Sequence, residues 1–327
     1  MPTPTFLEPL PNDDDAEDAA PLAARPPLAD TLAGFASGPA RPVDVANLSD
    51  LDRAEADAFA AAWRAFPEDT RAAIVRAMDE LAEDRVELNF GRVLRLALDD
   101  PSPVVRQLAV AALWEDERAD MLERLRRVLA ADASEDVRAE AAKGLGRFAE
   151  RAAEGGLDGG DQLRAELLAV AVDPAEPYSV RRRALEAAGA FGADERVRAA
   201  IDDFYDSGDQ GFRGSALFAM GRSCDARWLN RLLDELEGDE AELRFEAAHA
   251  CGVIGDPDAI PALLRLADDE DAEVRHAAID AIGQIGGQAA VRALQAITAN
   301  ADEAAAAEIE EALAEANASI DPLGTEA

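Results

Sequence analysis

The sequence predicts an all-α protein, a solenoid of about eight stacked helix pairs. Three observations carry that expectation: a helix–turn–helix unit at residues 256–286, copies of the unit upstream, and a stripe of small residues at fixed places in each copy. In the reference unit Leu263, Leu264 and Leu266 give a first helix an apolar side. Residues 268–271 interrupt the pattern, and Val274, Ala278, Ala281, Ile282 and Ile285 resume it at helical spacing. Two short helices cannot bury their own apolar face, so each pair requires a neighbour.

The copies are found by aligning on Val274-Arg275. Equivalent dipeptides are Leu243-Arg244, Phe212-Arg213, Val180-Arg181, Val137-Arg138 and Val105-Arg106. Reading back from Arg275, the arginines lie 31, 31, 32, 43 and 32 residues apart, the longest interval holding a Gly-rich insert at 154–161. Three residues after each arginine stands an alanine, from Ala109 to Ala278. Six after stand Ala112, Gly144, Ala187, Ala219, Ala250 and Ala281. Eight after stand Gly146, Gly189, Gly221, Gly252 and Gly283, with Trp114 the departure in the first copy. Small residues on one helical stripe let neighbouring helices approach closely.

The pattern D-x-x-x-x-VR-x-x-A-x-x-A-(L/I/M)-G, as in Asp269, Val274, Arg275, Ala278, Ala281 and Gly283, resembles HEAT repeats, especially the phycobilisome-lyase type. Pro261, early in a first helix, belongs to the same resemblance, which covers about residues 86–286. It implies a right-handed α-α superhelix in which an Asp of the turn bonds the Arg of the second helix. Asp100, Asp132 and Asp269, each six residues before an arginine, match; the third copy has Asp173 eight before, and the fourth and fifth match poorly. Such superhelices serve many functions, so the resemblance speaks to fold.

In chain order, residues 1–45 hold nine of the 17 prolines and an acidic run at 13–18, and are expected to be a disordered tail. Within it, Phe6-Leu7-Glu8-Pro9-Leu10 is a candidate docking motif. The solenoid is expected over 46–317, with caps at about 50–84 and 288–317 and a short tail at 318–327. Ser49 or Asp50 is the expected N-cap of a first helix at 51–66, followed by a second at 67–82 that lacks the small stripe, as a terminal cap should. Second helices of the six better copies are placed near 103–114, 135–149, 178–191, 210–221, 240–254 and 271–285. A last pair falls at about 288–298 and 302–316.

Charge excludes some classes. With 68 acidic against 32 basic residues the net charge is −36, which argues against a protein that coats nucleic acid. One lysine, Lys143, stands among the 32 basic residues. An acidic, alanine-rich chain fits a GC-rich genome or a salt-adapted cytoplasm, two origins with different salt responses. Two cysteines make no disulfide framework, and Cys251, seven residues after Arg244, occupies a core position filled elsewhere by Met220 and Ile282. No apolar run approaches membrane-spanning length and the N-terminus has no signal-peptide pattern, so a soluble cytoplasmic protein without a membrane partner is expected.

No residues are arranged for a recognisable reaction. His249 and His276 stand in no metal-ligand or triad spacing, and no metal or other cofactor is expected. The chain has no His-Glu dipeptide, which the di-iron deoxyhypusine hydroxylases of HEAT-like fold require, and its charge counts against the helical-repeat DNA glycosylases. Trp63, Trp114 and Trp228 read most simply as core or cap residues.

One stripe goes further. With positions three, six and seven after each arginine packed inward, positions one, five and nine face the concave side. They include Lys143, Arg147, Arg182, Phe218, Arg222, Phe245, His249 and His276, with Arg183 beside them, and only three of 18 are acidic. The expectation is a groove for an acidic or mixed peptide segment, with Phe218 and Phe245 as apolar anchors and Arg147, Arg182 and Arg222 as charge partners. The competing expectation packs the phenylalanines between units and pairs the arginines with neighbouring carboxylates. Function therefore reads as a non-enzymatic interaction scaffold. The alternative that the resemblance implies is a bilin lyase-like subunit handling a tetrapyrrole.

Overall fold

The computed structural model describes residues 25–298 and 303–320, and every regular element among them is helical. The chain divides into two compact units, Met1–Ala97 and Leu98–Ala327.

The first unit holds α1 (Leu28–Ser37), α2 (Pro42–Val45), α3 (Arg53–Trp63), α4 (Glu68–Asp84) and α5 (Gly91–Ala97). The expected disordered tail is corrected for α1 and α2. Leu28, Thr31, Leu32 and Phe35 turn inward at helical spacing, Phe35 and Val45 are fully buried, and the Phe35 ring meets Phe66 edge-on at 6.1 Å. Proline count concealed that amphipathic face. The docking motif at 6–10 and the acidic run lie outside the described residues. The first long helix also starts later than expected. Asp52 caps α3, accepting from the Glu55 N–H at 2.8 Å while the Glu55 carboxylate accepts from the Asp52 N–H at 3.0 Å. Asp50 instead holds a left-handed φ of 49° and donates its N–H to the Asn89 carbonyl at 2.9 Å.

The second unit is the solenoid. Its helices are α6 (Pro103–Ala112), α7 (Ala119–Ala131), α8 (Glu135–Ala153), α9 (Gly160–Val172), α10 (Tyr178–Ala188), α11 (Glu195–Tyr205), α12 (Gln210–Arg222), α13 (Leu229–Leu236), α14 (Ala241–Ile254), α15 (Ile260–Leu266), α16 (Ala272–Ile285), α17 (Gly287–Thr298) and α18 (Glu303–Ala318). The even-numbered helices pack on one another in sequence, α6 on α8 through to α16 on α18, and form one layer. The odd-numbered helices back them. The anticipated register holds: Ala141, Ala184, Ala216, Ala247 and Ala278 are sealed from solvent, as are Leu145, Ala188, Met220, Cys251 and Ile282.

Glycine sets the spacing of the inner layer. A Cβ placed on Gly189 would stand 2.8 Å from the Cα of Ala219, one on Gly221 2.9 Å from Ala250, one on Gly252 2.9 Å from Ala281, and one on Gly283 3.0 Å from Ala312. Gly189, Gly221 and Gly252, each eight residues after its arginine, thus lie on the alanine six after the next arginine, and Gly283 lies on Ala312 of the last helix. The backbones touch at that point, with no room for a methyl group.

A second device ties the copies together, and it differs from the expected bond within one copy. The carboxylates of two turn aspartates go to the arginine of the preceding copy, Asp132 to Arg106 at 2.7 Å and Asp269 to Arg244 at 2.9 Å. The arginine of the same copy takes the Asp's main-chain carbonyl instead, as Arg275 does with Asp269 at 2.7 Å and Arg106 with Asp100 at 2.8 Å. The reason is reach. An arginine in the first turn of a second helix leans toward the helix N-terminus, passes its own turn, and arrives at the next one. Where no Asp stands at that site the rung persists with other partners. Arg138 bonds Glu176 at 2.5 Å and Arg213 bonds buried Glu235 at 2.6 Å, while Arg181 lies over the rings of Phe204 and Phe212 at 5.4 and 4.9 Å. Some of the acidity serves turns. Asp100, Asp132, Asp173, Asp194, Asp225, Asp256 and Asp269 each accept the N–H two residues on.

Two substitutions test the spacing. Gly221→Ala should cost about 1–3 kcal/mol through overpacking against Ala250. Gly144→Ala, whose Cβ would meet only the Leu125 side chain at 3.4 Å, should gain about 0.5–1 kcal/mol from helix propensity. Urea titration of the two variants checks both signs. For the rungs, Asp269→Ala leaves Arg244 buried without its carboxylate and should cost about 3 kcal/mol in the same measurement.

Candidate functional site: a groove along the inner helices

Side chains two positions apart in the stack meet in front of the helix between them. Arg222 on α12 bonds Glu150 on α8 at 3.1 Å, and its guanidinium occupies the space that a side chain at Gly146 would fill, with Nη1 2.0 Å from the Cβ position there. Contact across α10 makes this face the inside of the solenoid's curve. The stripe one, five and nine residues after each arginine lies on it, and its members are partly exposed apart from Glu186.

Three cavities run along this face. One of about 270 Å³ takes Lys143, Arg147, Arg183, Phe218 and Arg222, with Trp114 as a further wall. A second, of about 460 Å³, shares Phe218 and Arg222 and adds His249 and Val253. A third, of about 220 Å³, is bordered by Arg182, Phe245 and Glu246. Eight of the nine residues anticipated for partner binding therefore line cavities of one face. His276 does not. It is exposed, with its Nδ1 3.4 Å from Glu308 on α18.

The cations are largely held by the chain itself, as the competing expectation had it. Arg182 donates to the Ser215 hydroxyl at 2.8 Å, Ser215 donates to Glu186 at 2.7 Å, and Arg183 bonds the other Glu186 oxygen at 2.6 Å. Lys143 stands 3.5 Å from Glu140. Arg147 differs. Its Nη2 donates to the carbonyls of Leu113 and Asp116 at 3.0 and 2.8 Å, its Nε is buried without a hydrogen-bond partner, and burial lowers its pKa against the opposing pull of Asp116 and Glu117. The phenylalanines are half-buried rather than sequestered, with Phe218 stacked on His249 at 6.4 Å and covered by Arg222 at 5.3 Å.

Two features escaped the sequence reading. Trp114 is no core residue. It is 58% exposed and walls the first cavity, whereas Trp63 and Trp228 are buried. Its signal was the departure from glycine eight residues after Arg106. The other is the polar network beneath the groove, with Ser215 and Glu246 as members. Position two after the arginine reads Leu108, Glu140, Arg183, Ser215, Glu246 and Ala277, polar in the four middle copies. Burial and then the Glu186 charge push the Glu246 carboxyl up to about 7, while Arg183 and Arg182 pull it down.

The cysteines are separated from one another in environment. Cys251 is buried as expected, and burial pushes its thiol up to about 12. Cys224 is exposed at φ 48°, in the place held by left-handed Gly255 and Gly286 in the next two copies. Among the described residues, no group of three or more His, Cys, Asp or Glu is placed to hold a metal ion, and no helix is long and apolar enough to cross a membrane.

The architecture is that of an α-helical repeat solenoid. The chain is a HEAT-repeat protein: the family model for HEAT repeats matches residues 91–157 and 229–314. The stretch left between them, 158–228, includes the copy in which aromatic rings replace the turn Asp around Arg181. Among solved structures the chain is similar to importin beta, at 16% identity and TM-score 0.44, covering 84% of this chain and 44% of that one. It is similar to YibA of E. coli, at 17% identity and TM-score 0.40, over 75% of this chain and 95% of that one. Human deoxyhypusine hydroxylase follows at 20% identity and TM-score 0.36, over 81% and 96%. No curated protein matches the chain in sequence.

The raised Glu246 carboxyl has a measurable consequence. The native state keeps a proton on it between about 4.5 and about 7 that the unfolded chain releases. Stability therefore falls as pH rises through that interval, and the loss is complete above it. Glu246→Gln should melt with the parent below pH 4.5 and above it at pH 8, with the gap opening in between. Thermal melts across that range check the sign.

Proposed function

We propose that this protein is a non-enzymatic interaction scaffold whose inner helix face holds a segment of a partner protein. The observation that carries the reading is the run of three cavities along α6 to α16, lined by partly exposed aromatic and cationic side chains of successive copies. The inner surface of a solenoid is the usual place for an extended partner, since each copy contributes a few residues to a continuous track. The groove carboxylate Glu186 and the arginines around it are bonded to one another, an arrangement for shape and charge rather than for proton transfer to a substrate. An acidic or mixed segment suits the cations, with Phe218 and Phe245 as apolar contacts. The bilin-handling alternative has no residue observation in its favour on this face.

The test replaces exposed groove residues at two cavities. Lys143 and Val253 take no part in the buried core, so Lys143→Glu with Val253→Asp should leave the melting temperature unchanged. Capture of partners from the protein's own cell extract should be lost with this variant and retained with Arg127→Glu, an exposed residue of α7 in the outer layer. Undiminished capture by the groove variant would overturn the scaffold reading of this face.

A further inference from the structure

We propose that the cavity walled by Trp114 and Phe218 seats an aromatic side chain of the partner segment, while carboxylates beside it in that segment bind Lys143 and Arg147. The inference rests on the groove reading above and gives it a site and a chemistry.

Trp114 is the first support. Eight residues after their arginines the other five copies place a glycine. Here the same position carries the largest side chain available and leaves it 58% exposed against a cavity of about 270 Å³. An indole so exposed offers a face on which another ring stacks, and Phe218 on α12 closes the opposite end.

Charge is the second support. In a chain of net −36, this cavity brings together four cations (Lys143, Arg147, Arg183 and Arg222) and two carboxylates, Glu140 and Glu186. Glu186 is taken up by Arg183 and Ser215, and Glu140 lies 3.5 Å from a Lys143 side chain that is 64% exposed. Arg147 has only carbonyl oxygens as hydrogen-bond acceptors and a buried Nε that bonds nothing. A carboxylate arriving here meets a partly desolvated cation lacking an anionic hydrogen-bond partner, a setting that favours a charge-assisted bond. A basic segment would meet like charges in the same place. The rest of the surface repels an acidic segment, so the cavity supplies selectivity as well as attraction.

The probe is the peptide acetyl-Asp-Glu-Phe-Glu-Asp-amide, with an alanine-for-phenylalanine version and a version carrying lysine for each acid. Trp63 and Trp228 are buried, so iodide quenching of tryptophan fluorescence in the full chain reports on Trp114. The phenylalanine peptide should protect Trp114 from iodide. By calorimetry its affinity should exceed that of the alanine and lysine versions at least tenfold, and Trp114→Ala and Lys143→Gln should each weaken it severalfold. Both substituted side chains are exposed, so loss of fold does not confound the result. Equal affinity for the phenylalanine and alanine peptides, indifference to Trp114→Ala, or no binding by any acidic peptide overturns this site. Those outcomes leave the scaffold reading to its capture experiment, where a groove variant that retains its partners defeats the reading itself.

Discussion

The contact on which the solenoid depends is the one between a glycine of one inner helix and an alanine of the next. Gly189, Gly221, Gly252 and Gly283 bring backbones to the limit of van der Waals approach, and everything else on the inner face follows from that distance. Helices this close leave little space between copies for large side chains. The bulky residues of the stripe, Phe218, Phe245 and Arg222 among them, are therefore directed into the groove, where they remain partly exposed. A tight inner layer beside a bulkier outer one also produces curvature, which lets side chains from alternate helices meet.

The arginine rungs solve a different problem. Inner-layer contacts fix distance but allow successive pairs to pivot. A guanidinium that bonds the turn of its own copy through a carbonyl and the turn of the next through a carboxylate fixes the angle as well. Arg106 and Arg244 do this with two parallel bonds to Asp132 and Asp269. The rung at Arg181 keeps the position while exchanging carboxylate for aromatic rings, so the requirement is for a partner to a cation rather than for an Asp. The excess of acidic residues is in part a consequence, because many of these aspartates also close their turns by accepting a main-chain N–H.

How much was legible in the sequence follows from what repeats. The second helices, the buried alanines and Cys251 all sit at recurring offsets from an arginine, and a recurring offset reports a recurring environment. The groove-facing stripe was readable for the same reason. What was hidden lies where the repetition breaks or where two copies cooperate. Trp114 replaces a glycine and so left the pattern just where it acquired exposure. Glu246 is unremarkable within its own copy and gains its character from Glu186 and Arg183, two inner helices away. The amphipathic face of α1 was obscured by prolines around it, since composition averages over a window wider than the helix.

Arg222 changes the kind of cooperativity this solenoid has. In an ideal repeat array each copy senses only its neighbours, and the chain unfolds as a one-dimensional lattice with nearest-neighbour coupling. The guanidinium resting on Gly146 and bonded to Glu150 adds a next-nearest-neighbour link over α10. The copies carrying α8, α10 and α12 are thereby joined by a contact that skips the middle one, a coupling beyond nearest neighbours. The two cavities that share Phe218 and Arg222 border those same copies.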